Sequence, residues 1–384
     1  MKKPVVVIGG GIVGLSTCFE FQDAGHEVTL IDPEPISGAT HHAGGMLAPI
    51  AEVQFRQPEL VPLMKESARI YPDLIARVSR YTDLPTGYRT EGTLVVGADR
   101  ADARHIADLV DYLEREDLPV DVLSTRQARA LEPALSPRIA KAIGIPGDHQ
   151  LQPRLYARAV LDAVRARGAR IIQDTVVALE GASPCTQVTL SSGSLDTAGS
   201  IVVLAAGLGA AKIPGWYAGA NPLQLRPVYG DMVWVRMPAG MDCLVSKVVR
   251  GFVENRPVYI IPRNDGTVTI GATSREDQPH SSTGGIHDLL RDAIRLVPGL
   301  EETEFVEATC GARPGTPDDL PYLGWAGSNL VVSTGYFRHG ILLSALGART
   351  AVDLVAGREL AQGLEACDPF RHAPATAHST PSTA

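Results

Sequence analysis

Val5-Val6-Val7-Ile8 is an unbroken apolar run rich in β-branched residues, the pattern of a parallel strand buried on both faces. Gly9 to Gly14 follow, and Ile12, Leu15 and Phe19 then recur at helical spacing as far as Ala24. Gly25-His26 ends that helix, and Glu27-Val28-Thr29-Leu30-Ile31 predicts a second strand closing at Asp32. Strand, helix and strand fit within about thirty residues, which predicts a βαβ unit opening a doubly wound sheet.

Beyond this unit the pattern is mixed. Helical periodicity covers 58–81, 101–116, 125–131 and 155–167, the last stopped by Gly168. Strand character marks 92–96, 170–172, 176–179, 187–190 and 200–205. Alternation over 228–235 and 258–272 predicts antiparallel strands, the second folded back at Asn264-Asp265-Gly266. A helix over 286–297 ends at Pro298-Gly299, a strand covers 329–333, and a last helix over 341–355 ends at Gly357. The order predicts an α/β fold. A Rossmann-like nucleotide-binding domain would be assembled from the discontinuous segments 1–85, 145–220 and 320–365. An inserted, mostly antiparallel α+β substrate domain would come from 86–144 and 221–319. Residues 366–384, rich in Pro, Ala, Ser and Thr from Arg371 onward, are expected to form a disordered tail.

Composition narrows the functions. Of 384 residues, 45% are apolar and 20% charged, enough for a sizeable core and against global disorder. Thirty-five basic against 43 acidic residues leave a net charge of −8, so no overall positive field draws in a polyanion and nucleic acid is disfavoured as a partner. Cys18, Cys185, Cys243, Cys310 and Cys367 are scattered and never form a C-x-x-C pair. That pattern speaks against a disulfide framework or a structural zinc and fits a reducing cytoplasm. The apolar start is cut by Gly9-Gly10-Gly11, too early for a signal peptide, and no uncharged apolar run reaches the roughly 18 residues of a membrane span. A soluble, cytoplasmic protein without an integral membrane segment is expected.

Gly9-Gly10-Gly11-Ile12-Val13-Gly14 satisfies G-x-G-x-x-G between a strand and a helix. Gly9 permits the tight turn, Gly11 lets the backbone approach a pyrophosphate, and Gly14 lets helix pack on strand. The free N–H groups of the first helical turn and the helix dipole favour the diphosphate. Asp32, at the end of the second strand, is placed to accept from ribose hydroxyls and to repel a 2′-phosphate. This unit leaves FAD and NAD both open.

Further along stand Ala43-Gly44-Gly45-Met46-Leu47-Ala48-Pro49, Tyr259-Ile260-Ile261-Pro262-Arg263, Gly271-Ala272-Thr273, Gly311 to Asp318 (GARPGTPD) and Gly335 to Leu342 (GYFRHGIL). Together with the N-terminal unit, and in this order to about residue 365, they resemble the glycine oxidases of thiamine biosynthesis, within the D-amino acid and sarcosine oxidase family. The resemblance implies noncovalent FAD. It places Thr40, Gly44, Gly45 and Met46 along the flavin and Val176 at the adenine. Phe337, His339, Gly340, Ile341 and Leu342 would lead a second helix N-terminus to the flavin's pyrimidine end, where it would stabilise negative charge. The resemblance makes Arg313 the holder of a substrate carboxylate, with Tyr259 and Arg338 beside it. A guanidinium fork binds a carboxylate bidentately and so fixes the Cα–H for transfer.

The sequence also departs from the family pattern. His41-His42 stand where many relatives carry small hydroxyl residues, and adjacent histidines without a carboxylate at ligand spacing do not make a metal site. Cys310 lies one position before the one aligned with the flavin-linking cysteine of some sarcosine oxidases, which here is Gly311. Ser274 replaces a bulkier pocket residue of some relatives, and Gly209 an aromatic. The implied activity is oxidation of glycine and other small amines, with O2 as acceptor, by a homo-oligomer that is a tetramer in the relatives. A D-amino acid or sarcosine oxidase, a quinone-linked D-amino acid dehydrogenase and a flavin-binding protein without turnover are the alternatives. No titratable residue is marked by the sequence as a general base.

Overall fold

The computed structural model describes residues 2–53, 57–181 and 183–373. Its first large sheet has six strands in the order Tyr322–Trp325, Leu330–Thr334, Ile201–Leu204, Val5–Ile8, Val28–Ile31, Arg170–Ile172. All pairings are parallel except that of the edge strand Tyr322–Trp325. Successive side chains point to opposite faces. Val5 and Val7 share a core with the helices Ile12–Asp23, Leu60–Val78, Pro153–Ala166 and Gly340–Ala356. Val6 and Ile8 pack on the other side, against Trp216 and the meander Val176–Glu180, Gln187–Leu190, Gly193–Asp196. Burial on both faces is why this strand is apolar throughout rather than alternating. The segment Phe337–Ala356 is apolar and long enough to cross a membrane, but 67% of its most apolar window is buried in the protein.

The second large sheet has eight strands: Glu304–Gly315, Arg226–Arg236, Thr267–Gly271, Arg256–Pro262, Val248–Val253, Thr93–Gly97, Lys141–Ile145 and Asp121–Leu123. Only the Val248–Val253 and Thr93–Gly97 pair runs parallel. On one face Val233, Val249, Ile260 and Ile270 are covered by Leu289, Ala293 and Leu296 of the helix Thr283–Leu296. One step along these strands, Met232 and Tyr259 turn to the opposite face, where Tyr259 lines a cavity together with Arg313 of the edge strand Glu304–Gly315. The α/β fold expected from the sequence is the one observed.

Local signals explain most of the elements. Asp99 caps the helix Arg100–Arg115 by accepting from the N–H groups of Ala101 (2.8 Å) and Asp102 (3.1 Å). Ser124 and Gln127 form a capping box at the helix Thr125–Leu131. Gly357 ends the last helix at φ +64°, a left-handed conformation that costs glycine little.

Several strands escape the sequence pattern, among them Asp121–Leu123, Lys141–Ile145, Gly193–Asp196 and Tyr322–Trp325, and two more show why. Glu304–Gly315 is an edge strand whose Phe305 and Val306 remain exposed, so its alternation carries no clean core face. Val248–Val253 turns into Arg256–Pro262 through Glu254 and Asn255, both at positive φ (52° and 64°). That turn is usually written Asn-Gly. Here the Asp102 carboxylate accepts from both turn N–H groups (3.2 and 2.9 Å) and offsets the strain.

The expected tail needs correction at its start. Phe370 packs beside the Trp216 core, and the Arg371 guanidinium grips Asp318 (2.8 Å) and the Leu320 carbonyl (2.6 Å). Tyr322 Oη meets His372 Nδ1 at 2.8 Å, so the chain is held to about residue 373 by contacts that composition does not reveal. Residues 374–384 of that expectation lie outside the described residues.

Candidate active site

A cavity of about 1100 Å³ lies between the two sheets and runs from Asp32 and Val176 to Tyr259 and Arg313. At its first end Gly9 turns at φ +109°, where a Cβ would come within 2.5 Å of the Ala205 carbonyl oxygen. A Cβ on Gly14 would lie 1.8 Å from the Gly9 carbonyl oxygen, so the helix crosses the strand with no room for a side chain. Gly11 differs: a Cβ there would meet only Thr40 Oγ1, at 3.4 Å, and otherwise project into the cavity. The backbone is thus bare on the side where a phosphate would approach. The Ile12 N–H donates to Thr40 Oγ1 (3.0 Å) and the Leu15 N–H to the Gly11 carbonyl, leaving Val13 and its first-turn N–H at the cavity wall. Asp32 accepts from Gly10 N–H (2.6 Å) and Glu34 N–H (2.8 Å), and its remaining lone pairs face the cavity. These features fit the diphosphate and ribose of a dinucleotide, and the cavity exceeds the usual range of small-ligand pockets, up to about 1,000 Å³. Gly14→Ala should cost about 1–3 kcal/mol through the forced overlap. The purified protein should retain less flavin per chain by absorbance and melt lower.

The flavin segment expected from the sequence lies along the same cavity. Gly44, Gly45 and Met46 line it, with Gly44 pressed against Tyr259: a Cβ there would reach the Tyr259 ring at 3.1 Å. The buried Arg263 donates to the carbonyls of Gly44 and Leu151 (2.8 Å to the latter), to Gln150 Oε1 (3.2 Å) and to Thr269 Oγ1 (3.2 Å). Gly335 to Leu342 form the far wall. Phe337 takes φ +47° there and lies beneath the Arg338 guanidinium, 5.4 Å from ring centroid to Cζ. The helix Gly340–Ala356 begins at this wall, and the pKa of its cap residue His339 is pushed down to about 4 by burial. A neutral imidazole therefore leaves the helix N-terminus as the local positive pole.

Tyr259, Arg313 and Arg338 all face the cavity. Burial raises the Tyr259 phenol pKa while the neighbouring Arg313 and Arg338 pull it down, so the three groups share one electrostatic environment. Enclosure lowers the pKa of Arg338, which stays accessible through the open cavity. Arg313 donates to the Thr273 carbonyl at 3.3 Å. Tyr259 Oη donates to Met232 Sδ at 3.0 Å.

The structure also brings in residues that the sequence reading passed over. Glu52 lines the cavity and forms an ion pair with Arg250, which in turn donates to the Ala51 carbonyl. The segment is anchored by the buried Asp148, which accepts from Ile50 N–H (3.2 Å) and Ala51 N–H (2.9 Å). Glu52 is thus a carboxylate near the arginines, but Arg250 already occupies it. Its only signal in the chain is its position six residues after Met46.

The departures have structural counterparts. His42 packs where a Cβ on Gly311 would stand (2.3 Å from His42 Cβ) and meets His41 edge to face at 5.1 Å. Among the described residues no cluster of three or more potential metal ligands forms. Cys310 Sγ accepts from Arg275, at 3.4 Å, beside the buried Asp231. Gly209 lines the cavity, and a Cβ there would meet nothing closer than Ala206 Cβ at 3.7 Å, so packing does not require glycine. Ser274 is part of the same wall.

Comparison with known proteins agrees with this geometry. A glycine oxidase of Geobacillus kaustophilus is 32% identical over 377 residues, covering 97% of each chain. A crystal structure of glycine oxidase from that organism superposes with a TM-score of 0.86 at 30% identity, covering 97% of this chain and 99% of that one. The iminodiacetate oxidase of Chelativorans sp. BNC1 superposes with a TM-score of 0.82 at 25% identity, over 95% and 98% of the two chains. The bifunctional protein ThiO/ThiG of Trichormus variabilis is 31% identical over 92% of this chain, which spans only 53% of that protein's length. The DAO family model, described as FAD dependent oxidoreductase, matches residues 4–354, and the chain belongs to that family.

Proposed function

We propose that this protein is an FAD-dependent amine oxidase that deaminates glycine, with sarcosine and small D-amino acids as further substrates. The observation that carries the reading is the meeting of Arg313, Arg338 and Tyr259 at the end of the cavity away from the Gly9–Gly14 turn. Two cations and a phenol suit a carboxylate, and glycine has one carboxylate and one amine to present.

FAD, held noncovalently by Gly9–Gly14, Asp32, Thr40, Gly44–Met46, Val176 and the 337–342 segment, supplies the acceptor for the hydride of the amine's Cα–H. The side chains do the rest. The Arg313 fork holds the carboxylate, and Tyr259, kept protonated by burial, turns its one proton from Met232 Sδ to it. Arg338 closes the charge cage from the helix side. With Glu52 committed to Arg250, no unpaired carboxylate lies beside Arg313 and Tyr259 among the described residues, which supports loss of hydride from a neutral amine without a protein base. Water then hydrolyses the released imine. One turnover converts glycine, O2 and water into glyoxylate, ammonia and hydrogen peroxide. The likeness to ThiO/ThiG supports a place in thiamine synthesis, with the imine as the useful product. A cytoplasmic tetramer completes the proposal, and light scattering would test the oligomer.

A second reading is favoured by Ser274: a small residue in this wall leaves room for a larger amine. The same experiment separates both. The purified protein should show an oxidised flavin spectrum that glycine bleaches anaerobically and air restores with peroxide formation. Bleaching by D-alanine or sarcosine but not by glycine would move the substrate, and bleaching without recovery in air would make it a dehydrogenase. A flavin spectrum unchanged by every amine would overturn the enzyme reading.

A further inference from the structure

Gly230 lies on the strand Arg226–Arg236, directly opposite Gly311 of the strand Glu304–Gly315. Arg313 is opposite Val228, so Gly230 and Arg313 are diagonal neighbours, within reach of a long side chain. A Cβ on Gly230 would lie 2.3 Å from one terminal nitrogen of Arg313, 2.5 Å from the other and 2.7 Å from Cζ. The guanidinium therefore lies across the bare backbone of residue 230. Asp231, the next residue, fixes the wall that Arg313 leans on: its N–H donates to Thr273 Oγ1 (2.7 Å), and that hydroxyl donates to Asp231 Oδ2 (3.0 Å). The Thr273 carbonyl in turn accepts from Arg313 (3.3 Å).

We infer that Gly230 is a positioning residue for the substrate carboxylate, acting by leaving the space in which the Arg313 guanidinium lies flat. This rests on the reading of Arg313 as the carboxylate anchor. The overlap that a methyl group would create falls on the far end of a flexible side chain, not on backbone. Gly230→Ala should therefore leave the sheet intact and push the guanidinium out of place. A shift of about an ångström in such an anchor can cost about 10²-fold.

The test uses the flavin-loaded protein and acetate, a carboxylate without an amine, followed by the change it causes in the flavin spectrum. Gly230→Ala should keep its flavin and its melting temperature while weakening acetate about 10- to 100-fold, and KM for glycine should rise more than kcat falls. The double variant with Arg313→Ala should bind acetate no worse than Arg313→Ala alone, because both changes act through one group. Wild-type acetate binding in Gly230→Ala, with binding lost in Arg313→Ala, would overturn the role of Gly230 and leave the anchor standing. Wild-type binding in Arg313→Ala would instead remove the anchor itself. Loss of flavin or of fold in Gly230→Ala would show that the glycine serves the sheet rather than the guanidinium, and would also overturn the inference.

Discussion

Replacing Arg313 by Ala is expected to lower kcat/KM for glycine by about 10²- to 10³-fold, a loss of about 3–4 kcal/mol of transition-state stabilisation. Glycine has no side chain, so its carboxylate is the only anionic group by which the site can orient it. Losing the fork should raise KM, since the carboxylate loses its partner. It should also lower kcat, since the Cα–H is no longer held in line. Arg313→Lys keeps a point charge but not the planar pair of donors, and should recover only part of the loss. The fold should tolerate both changes. Arg313 is half-buried, and its hydrogen bond to protein runs to the neutral Thr273 carbonyl, so its removal leaves no buried charge unpaired. The Tyr259 phenol should titrate at still higher pH without the cation, because burial already raises its pKa and Arg313 opposes that rise. Steady-state kinetics, flavin content and melting temperature together check this. Unchanged kcat/KM in a folded, flavin-loaded Arg313→Ala would remove the anchor from the proposed mechanism.

The parts of this protein that can be read from its sequence are those whose physics is local. The first strand, the glycine turn and Asp32 lie within one βαβ unit, where spacing alone fixes the relation of turn to helix. Helix caps such as Asp99 and Ser124 are likewise written within four residues. The substrate end was reachable only through resemblance, because Tyr259, Arg313 and Arg338 come from three separated segments and nothing in their spacing brings them together. Gly230 carries no signal, and Glu52 only its place six residues after Met46. One matters for the space that it leaves beneath a residue on the neighbouring strand, and the other owes its environment to Arg250 across the cavity. The strand Glu304–Gly315 was hidden for another reason: as an exposed edge it needs no apolar face.

Arg263 belongs to the Tyr-Ile-Ile-Pro-Arg segment, yet its importance shows only in three dimensions, and its replacement should have the largest effect on the fold. The side chain is 4% exposed, and none of its four acceptors is a carboxylate. Burial pushes its pKa down to about 9, still above neutral, so a cation is held by two carbonyls, an amide and a hydroxyl. Arg263→Leu relieves the cost of burying that charge but orphans the carbonyls of Gly44 and Leu151, at about 1–3 kcal/mol each. It also leaves a void where the guanidinium was. The orphaned groups and the void should outweigh the relief, because the charge is already spread over four hydrogen bonds, and a net loss of about 2–4 kcal/mol is expected. The loosened segment is the one that carries Gly44 and Gly45 along the cavity, and its link to Gln150 is reduced to the backbone pairing of Met46 with that residue. Flavin affinity should therefore fall together with stability. Arg263→Lys should rescue little, since a single ammonium cannot reach four acceptors that a planar fork spans. Melting curves with and without added FAD, and a fluorescence titration of the flavin-free protein, measure the two effects separately. A variant that melts later than wild type would mean that relief of the buried charge dominates, and one that melts earlier yet binds FAD as tightly as wild type would uncouple Arg263 from the cofactor wall.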